Sequence, residues 1–229
     1  MTTVFNFELF KKRLNLYLEK IEALGGETEP LTIEEPATEE EIKAVEAKLG
    51  YTLPPHFREV LLENTAYLEF WWYIDDLTEE NEDFLPDELD NIASGELLFG
   101  LDLLLDNERS RKGWVRDVCP SKSKEYSRVW NNKMCFQEVG NGDYIAIELE
   151  PNNYGKVVYV SHDGSDNHGV YLANNFKEFL MNYAAIGGTG ADDWQWEPFY
   201  TEGKGIDPTS ENAQTWYKVL GIDPKELEG

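Results

Sequence analysis

The fold is decided by the stretch TEEEIKAVEAKLGYTLPPHFREVLLEN, residues 38–64. Thr38 is followed three residues later by Glu41, which is the pattern of a capping box at the start of a helix. Gly50 lies where many helices end in a left-handed residue, and Pro55 suits the first turn of a following helix. The stretch therefore predicts two short helices joined by a Pro-Pro step.

Apolar spacing in the first of these helices predicts that Ile42, Val45 and Leu49 form a buried stripe. Residues 109–130 are basic and are expected to be irregular. The other predicted elements are a helix at 5–24, an aromatic, strand-like block at 67–76, and a second apolar block at 96–106. A β-hairpin is predicted at 133–150, a strand at 155–164, and helices at 174–188 and 210–221. Helices followed by several strands and then a helix favour an α+β fold with a mostly antiparallel sheet.

The charge is distributed unevenly along the chain. Its 229 residues include 45 Asp or Glu against 20 Lys or Arg, a formal charge of −25. Residues 59–108 hold sixteen acidic residues and no Lys, Arg or His, whereas residues 109–133 hold eight basic and two acidic residues. Such a field repels nucleic acid and anionic membranes and favours cationic partners, so we expect no direct binding to either. Solubility or a salt-tolerant host is the alternative interpretation of the acidity.

Several classes of protein are disfavoured by what the sequence lacks. No apolar run approaches the roughly 20 residues of a membrane helix. The first residues do not have the pattern of a signal peptide, and Cys119 and Cys135 are too few for a disulfide framework. We therefore expect a cytoplasmic protein with two reduced thiols in its core.

No complete catalytic or cofactor motif is present. The Gly-rich GGTGADD at 187–193 lacks the Lys of a phosphate-binding loop, so a turn is expected there. The loop SHDGSDNHG at 161–169 contains His162 and His168, but it does not match a calcium loop and is expected to be solvated. No G-x-S-x-G occurs. We expect no catalytic residue, no metal and no cofactor, although abundant carboxylates leave a carboxylate-based enzyme open as an alternative.

Three motifs, in this order, resemble those of the SMI1/KNR4 family, also called the SUKH superfamily. They are the helix–Gly–Leu-Pro–helix stretch, a Gly-Asp turn before a strand, and a closing helix with Phe-x-x-Phe-Leu. The matching positions are Ile42, Glu46, Leu49, Gly50, Leu53, Pro54, Phe57 and Leu61, then Gly142, Asp143, Tyr144 and Ile145, then Phe176, Phe179 and Leu180. The resemblance implies an α+β, SMI1/KNR4-like fold, with a mostly antiparallel curved β-sheet and flanking helices.

The resemblance also suggests a division of the chain. A family-like core is predicted at 37–186, after an N-terminal helix and connector at 1–36 and before a C-terminal extension at 187–229. The extension is expected to pack on the core through four aromatic side chains, because exposing all of them would promote aggregation. These are Trp194, Trp196, Phe199 and Trp216.

The segment after the two helices carries the candidate contact surface. Neighbouring side chains of a strand point to opposite faces, so some aromatic residues of YLEFWWYIDD must face away from a single core. Exposed aromatic residues bordered by carboxylates suit a basic protein partner. The alternative is that both sheet faces are covered. The predicted partner-binding residues are Glu69, Trp71, Trp72, Tyr73, Asp75, Asp76, Glu79, Glu80, Glu82 and Asp83.

Three functions remain open from the sequence. Bacterial relatives are commonly immunity proteins, so the resemblance implies a non-enzymatic protein that occludes a cognate toxin with a basic surface, of nuclease type. Fungal relatives are signalling scaffolds, which implies a regulatory module that binds a host protein. The carboxylate-based enzyme is the third alternative.

Overall fold

The computed structural model describes residues 5–74 and 85–228. The chain divides into two compact units. The first unit comprises residues 1–32, 69–97 and 178–229, and the second comprises residues 33–68 and 98–177. The boundaries expected from the sequence, after residues 36 and 186, stay a prediction.

Helices and antiparallel strands both contribute to the architecture, which confirms the α+β class. The helices are α1 Phe7–Ala23, α2 Glu39–Leu49, α3 Pro55–Glu63, α4 Leu104–Asp117, α5 Lys124–Trp130, α6 Phe176–Ala185, α7 Asp193–Trp196 and α8 Glu211–Val219. The strands are β1 Glu27–Thr28, β2 Thr32–Ile33, β3 Tyr67–Tyr73, β4 Ser94–Gly100, β5 Lys133–Glu138, β6 Tyr144–Glu148, β7 Val157–Val160, β8 Tyr171–Ala173, β9 Tyr200–Thr201 and β10 Gly205–Ile206.

The opening stretch forms the two predicted helices, α2 and α3. The side chains of Thr38 and Glu41 make both bonds of the capping box, and Gly50 ends α2 with φ of 85°. Helix α3 starts at Pro55. Ile42 and Leu49 are buried as predicted, whereas Val45 is only half-buried, so the expected stripe is incomplete.

The step between the two helices is held by one arginine. Arg58 of α3 donates to Glu46 at 3.2 Å and to Glu39 at 2.6 Å, and both carboxylates belong to α2. Glu46 also accepts a bond of 2.9 Å from the backbone N–H of Leu53. These bonds fix the angle that the Pro-Pro step creates.

Strand β3 is the centre of the first sheet and pairs with β1, β2 and β4. In the antiparallel pair with β1, Glu27 lies across from Tyr73. Two backbone hydrogen bonds set the register of β4: Ile74 N to Ala93 O at 2.8 Å, and Leu101 N to Ala66 O at 2.9 Å. This register places Gly95 across from Trp72 and Glu96 across from Trp71.

The second sheet has the antiparallel order β5-β6-β7-β8 and lies in the second unit. The predicted hairpin forms its first two strands, with Gly142 at φ of 96° in the turn. One face of this sheet packs against helices α4 and α5 in an apolar cluster. The cluster contains Cys119, Tyr126, Trp130, Cys135, Tyr144, Ala146, Val158 and Val160.

The basic segment 109–130 is helical, so the prediction of irregular structure was wrong. Helices α4 and α5 cover most of it. Lys and Arg are good helix formers. Four basic side chains of α4 form ion pairs with nearby carboxylates: Arg109, Arg111, Lys112 and Arg116. Arg111 is buried and donates to Glu108 at 2.7 Å and to the carbonyl of Trp130 at 2.8 Å. A high density of basic residues therefore did not indicate a loop.

Most aromatic side chains of the C-terminal extension are buried. Trp196, Phe199 and Trp216 are each 0% exposed, whereas Trp194 is 47% exposed. The packing of the extension on the predicted core stays a prediction. The prediction for Trp194 was wrong because this side chain projects from the short helix α7 towards solvent. The predicted helix at 210–221 is confirmed as α8, which is capped by Ser210.

Candidate functional site

Strand β3 has one buried face and one accessible face. Leu68, Phe70 and Trp72 are at most 1% exposed. The alternating residues Glu69 and Tyr73 are exposed, and Trp71 between them is half-buried. This alternation follows from the two-residue period of a strand and confirms that some aromatic residues face away from the core.

Trp72 belongs to the core, so its place among the predicted partner-binding residues was wrong. Its indole N–H donates to the carbonyl of Gly187 at 2.8 Å, and its ring stacks on Trp216 at 6.3 Å. Gly95 lies directly across from this ring, and a Cβ there would be 1.9 Å from the indole nitrogen. Trp72 is therefore enclosed on all sides by the first unit and cannot contact a partner.

The two aromatic residues on the accessible face are stacked. The rings of Trp71 and Tyr73 lie 6.4 Å apart with 14° between their planes, and Tyr73 is 37% exposed. Strand β1 and the residue after it place two carboxylates beside these rings. Glu27 lies across from Tyr73, and the N–H of Glu29 donates to the Trp71 carbonyl at 3.2 Å. Both glutamates are exposed.

Glu96 of β4 completes the acidic border on the other side of Trp71. Burial, together with the negative charges of Asp192 and Glu69, raises the pKa of Glu96 to about 7. A half-buried carboxylate with two acidic neighbours is poorly stabilised when ionised. A cation placed on this face would therefore interact favourably with Glu96.

We name this surface the acidic-aromatic face. It consists of Glu27, Glu29, Glu69, Trp71, Tyr73 and Glu96. The structure brings together three of the predicted residues, namely Glu69, Trp71 and Tyr73. The other predicted acidic residues lie outside the described residues: Asp75, Asp76, Glu79, Glu80, Glu82 and Asp83.

Three glutamates of the face were not predicted. Glu27 and Glu29 stand two residues apart in the sequence ETE, and that spacing could have indicated an edge strand with both carboxylates on one face. Glu96 could be placed only from the register of β4 against β3, which distant parts of the sequence determine together. This is why local patterns missed it.

The loop at 161–169 is organised by hydrogen bonds within the protein. Buried Asp143 accepts from the hydroxyl of Tyr159 at 2.6 Å and from the backbone N–H of His162 at 2.5 Å, and the Nδ1 of His162 lies 2.6 Å from it. His168 stacks on Tyr126 at 4.6 Å. In residues 5–74 and 85–228, no group of three His, Cys, Asp or Glu side chains is placed to hold a metal ion.

The remaining sequence motifs occupy structural positions. Gly187 and Gly188 form a turn after α6 with positive φ, as the Gly-rich motif predicted. Cys119 and Cys135 are free and buried, and burial raises the pKa of the Cys135 thiol to about 12. A thiol with such a pKa is a poor nucleophile at neutral pH. Among the described helices, none is long and apolar enough to cross a membrane.

A family model matches more than half of the chain. The model of the SMI1 / KNR4 family (SUKH-1) matches residues 36–182. This range includes the α2–α3 stretch, the Gly-Asp turn at Gly142 and the Phe-x-x-Phe-Leu helix, so the resemblance based on those motifs is confirmed. No curated protein matches the chain.

Proposed function

The chain belongs to the SMI1/KNR4 family (SUKH-1), and we propose that it is an immunity protein that neutralises a cognate toxin with a basic surface. The family is of the immunity-protein type, and the proposal adds a mechanism to that membership. The protein occludes the toxin sterically and electrostatically, without catalysis. A cytoplasmic location is part of the proposal and agrees with the free thiols Cys119 and Cys135.

The observation that supports the proposal best is the stacked pair Trp71–Tyr73 within a border of carboxylates. Aromatic side chains are enriched among the residues that dominate the binding energy of interfaces. A guanidinium group stacks well on such rings and also pairs with carboxylates, so the face suits arginine-rich surfaces. Lysine would gain mainly from the charge.

A toxin of nuclease type fits this face chemically. A nuclease holds the phosphate backbone of its substrate with Lys and Arg, and a carboxylate surface can occupy the same cations. The formal charge of −25 also accelerates the encounter with a basic protein. Occlusion of the substrate-binding surface would then suffice to stop cleavage.

The test is inhibition of the protein encoded beside this gene, expressed separately and assayed for nuclease activity. We expect the wild-type chain to inhibit it stoichiometrically. Trp71→Ala should weaken inhibition about 30-fold or more, the effect of removing a dominant interface residue. Trp194→Ala removes an exposed indole elsewhere in the same unit and should inhibit like the wild type. Equal inhibition by both variants would contradict the assignment of the face.

A further inference from the structure

A surface groove lies in the second unit, beside helix α2. It is a groove of about 520 Å³ with an apolar floor that includes Ala37, Val45, Ala66 and Leu101. Val45 is the residue expected to complete the buried stripe of α2. It is half-buried because its side chain borders this open groove instead of the core.

Backbone hydrogen bonds hold the walls of the groove in place. The N–H of Ala37 donates to Leu61 at 2.8 Å, and the N–H of Ala66 donates to Glu35 at 3.1 Å. The N–H of Leu101 in turn donates to the carbonyl of Ala66 at 2.9 Å. Segments fixed in this way do not need a ligand to order them, so a binding partner loses little free energy to reorganisation.

The rim of the groove is acidic. Its carboxylates are Glu34, Glu35, Glu41 and Asp102, and no Lys or Arg is among the described residues that line it. Hydrogen bonds from the backbone N–H and the hydroxyl of Thr38 lower the pKa of Glu41, which therefore stays ionised. An apolar floor within a purely acidic rim complements an aliphatic side chain that has cations on either side.

We propose that this groove binds a short basic segment of the protein partner, in which an aliphatic side chain lies between Lys or Arg residues. The inference rests on the proposed function, since the segment belongs to the same basic partner. The aliphatic side chain fills the floor over Val45, and the flanking cations pair with the carboxylates of the rim. The partner is thereby recognised at two surfaces of the chain, the acidic-aromatic face and the groove.

The groove can be tested without the toxin by using a labelled peptide, acetyl-Lys-Arg-Leu-Arg-Lys-amide, and the full chain. A matched peptide with Ser in place of Leu keeps the charge and removes the aliphatic group. We expect the Leu peptide to bind about tenfold more tightly, as for a buried aliphatic side chain. Equal binding of the two peptides would overturn the inference, because the general acidity of the chain would then explain all binding.

Two variants of helix α2 locate the site. Ala44 and Ala47 are both exposed, but only Ala44 lines the groove. Ala44→Trp should fill the groove and abolish the preference for the Leu peptide, whereas Ala47→Trp should keep it. If the two variants behave alike, the inference is wrong. Thermal melting of both variants confirms that they fold.

A charge variant provides independent support. Glu35→Gln with Asp102→Asn should reduce the salt dependence of peptide binding, and Glu40→Gln with Glu63→Gln, at exposed positions outside the groove, should not. If both double variants change the salt dependence equally, the carboxylates of the rim do not bind the cations of the peptide. If Ala44→Trp abolishes the peptide preference but the neighbouring gene product is not inhibited, the groove stands and the proposed function fails. If Trp71→Ala weakens inhibition, Trp194→Ala does not, and the two peptides bind alike, the proposed function stands and the groove inference fails.

Discussion

Replacing Glu96 by Gln should stabilise the protein at alkaline pH, because the ionised carboxylate is unfavourable in the fold. The pKa of Glu96 is raised from 4.5 to about 7 by burial, by Asp192 and by Glu69. A shift of one pKa unit corresponds to about 1.4 kcal/mol, so the ionised group costs up to about 3 kcal/mol. The folded state binds the Glu96 proton more tightly than the unfolded state does. The stabilising contribution of the Glu96 proton to folding is therefore complete below pH 4.5 and is lost as the pH rises to about 7.

The assay is thermal melting of wild type and Glu96→Gln between pH 4.5 and pH 8. At pH 8 the variant should be more stable by about 1–3 kcal/mol, which is about 3–9 °C in Tm for a chain of this size. The difference should vanish near pH 4.5, where both side chains are neutral. Glu202→Gln, at an exposed position of the same unit, is the control and should show no such trend. A difference that is independent of pH would refute the electrostatic assignment.

Two further changes test side-chain packing and buried hydrogen bonding. Gly95→Ala should destabilise the protein by about 3 kcal/mol, because its Cβ would overlap the ring of Trp72. Gly113→Ala, in helix α4 with open space around it, should instead stabilise slightly, and a loss of stability there would contradict the comparison. Asp143→Asn should cost about 2–3 kcal/mol in urea unfolding, because the amide cannot accept all the bonds that now reach the carboxylate. An unchanged urea midpoint would show that the hydrogen bonds to the Asp143 carboxylate do not stabilise the fold.

Local sequence patterns were sufficient to predict helices α2 and α3 and the turn between them. Thr38, Glu41, Gly50 and Pro55 act through hydrogen bonds and backbone angles within a few residues of themselves, so their pattern determines the result. The hairpin around Gly142 was predicted for the same reason. The α+β class followed from the order of these elements.

Tertiary partners determined what the sequence did not reveal. Residues 109–130 were expected to be irregular because they are rich in Lys and Arg. In the structure, Arg111 donates to Glu108 and to the carbonyl of Trp130, which supports a helix there. Trp71 and Trp72 are adjacent and identical in type. The two-residue period of a strand places them on opposite faces but does not show which of the two faces is buried. Gly95 decides this, because only a glycine leaves room for the ring of Trp72.

The stability and the function of the acidic-aromatic face are expected to oppose each other. Glu96 destabilises the free protein at neutral pH, and a cation on the face would offset that cost. Glu96→Gln should therefore melt higher yet bind the basic partner less tightly. Calorimetry of the complex in buffers of different ionisation enthalpy would detect release of the Glu96 proton on binding near pH 7, and its absence would mean that no cation approaches this carboxylate.

Affinity for the proposed toxin, measured as a function of salt, shows whether the acidic-aromatic face binds it. The face variant carries Glu27→Gln, Glu29→Gln and Glu69→Gln. The control carries the same change in net charge at Glu19, Glu202 and Glu211, which are exposed elsewhere in the first unit.

At low salt the face variant should bind about tenfold more weakly than the wild type, the sum of three exposed charge pairs, and the difference should shrink in high salt. The control should bind like the wild type. If the two variants lose the same affinity, or neither loses any, the acidic-aromatic face is not where the toxin is held.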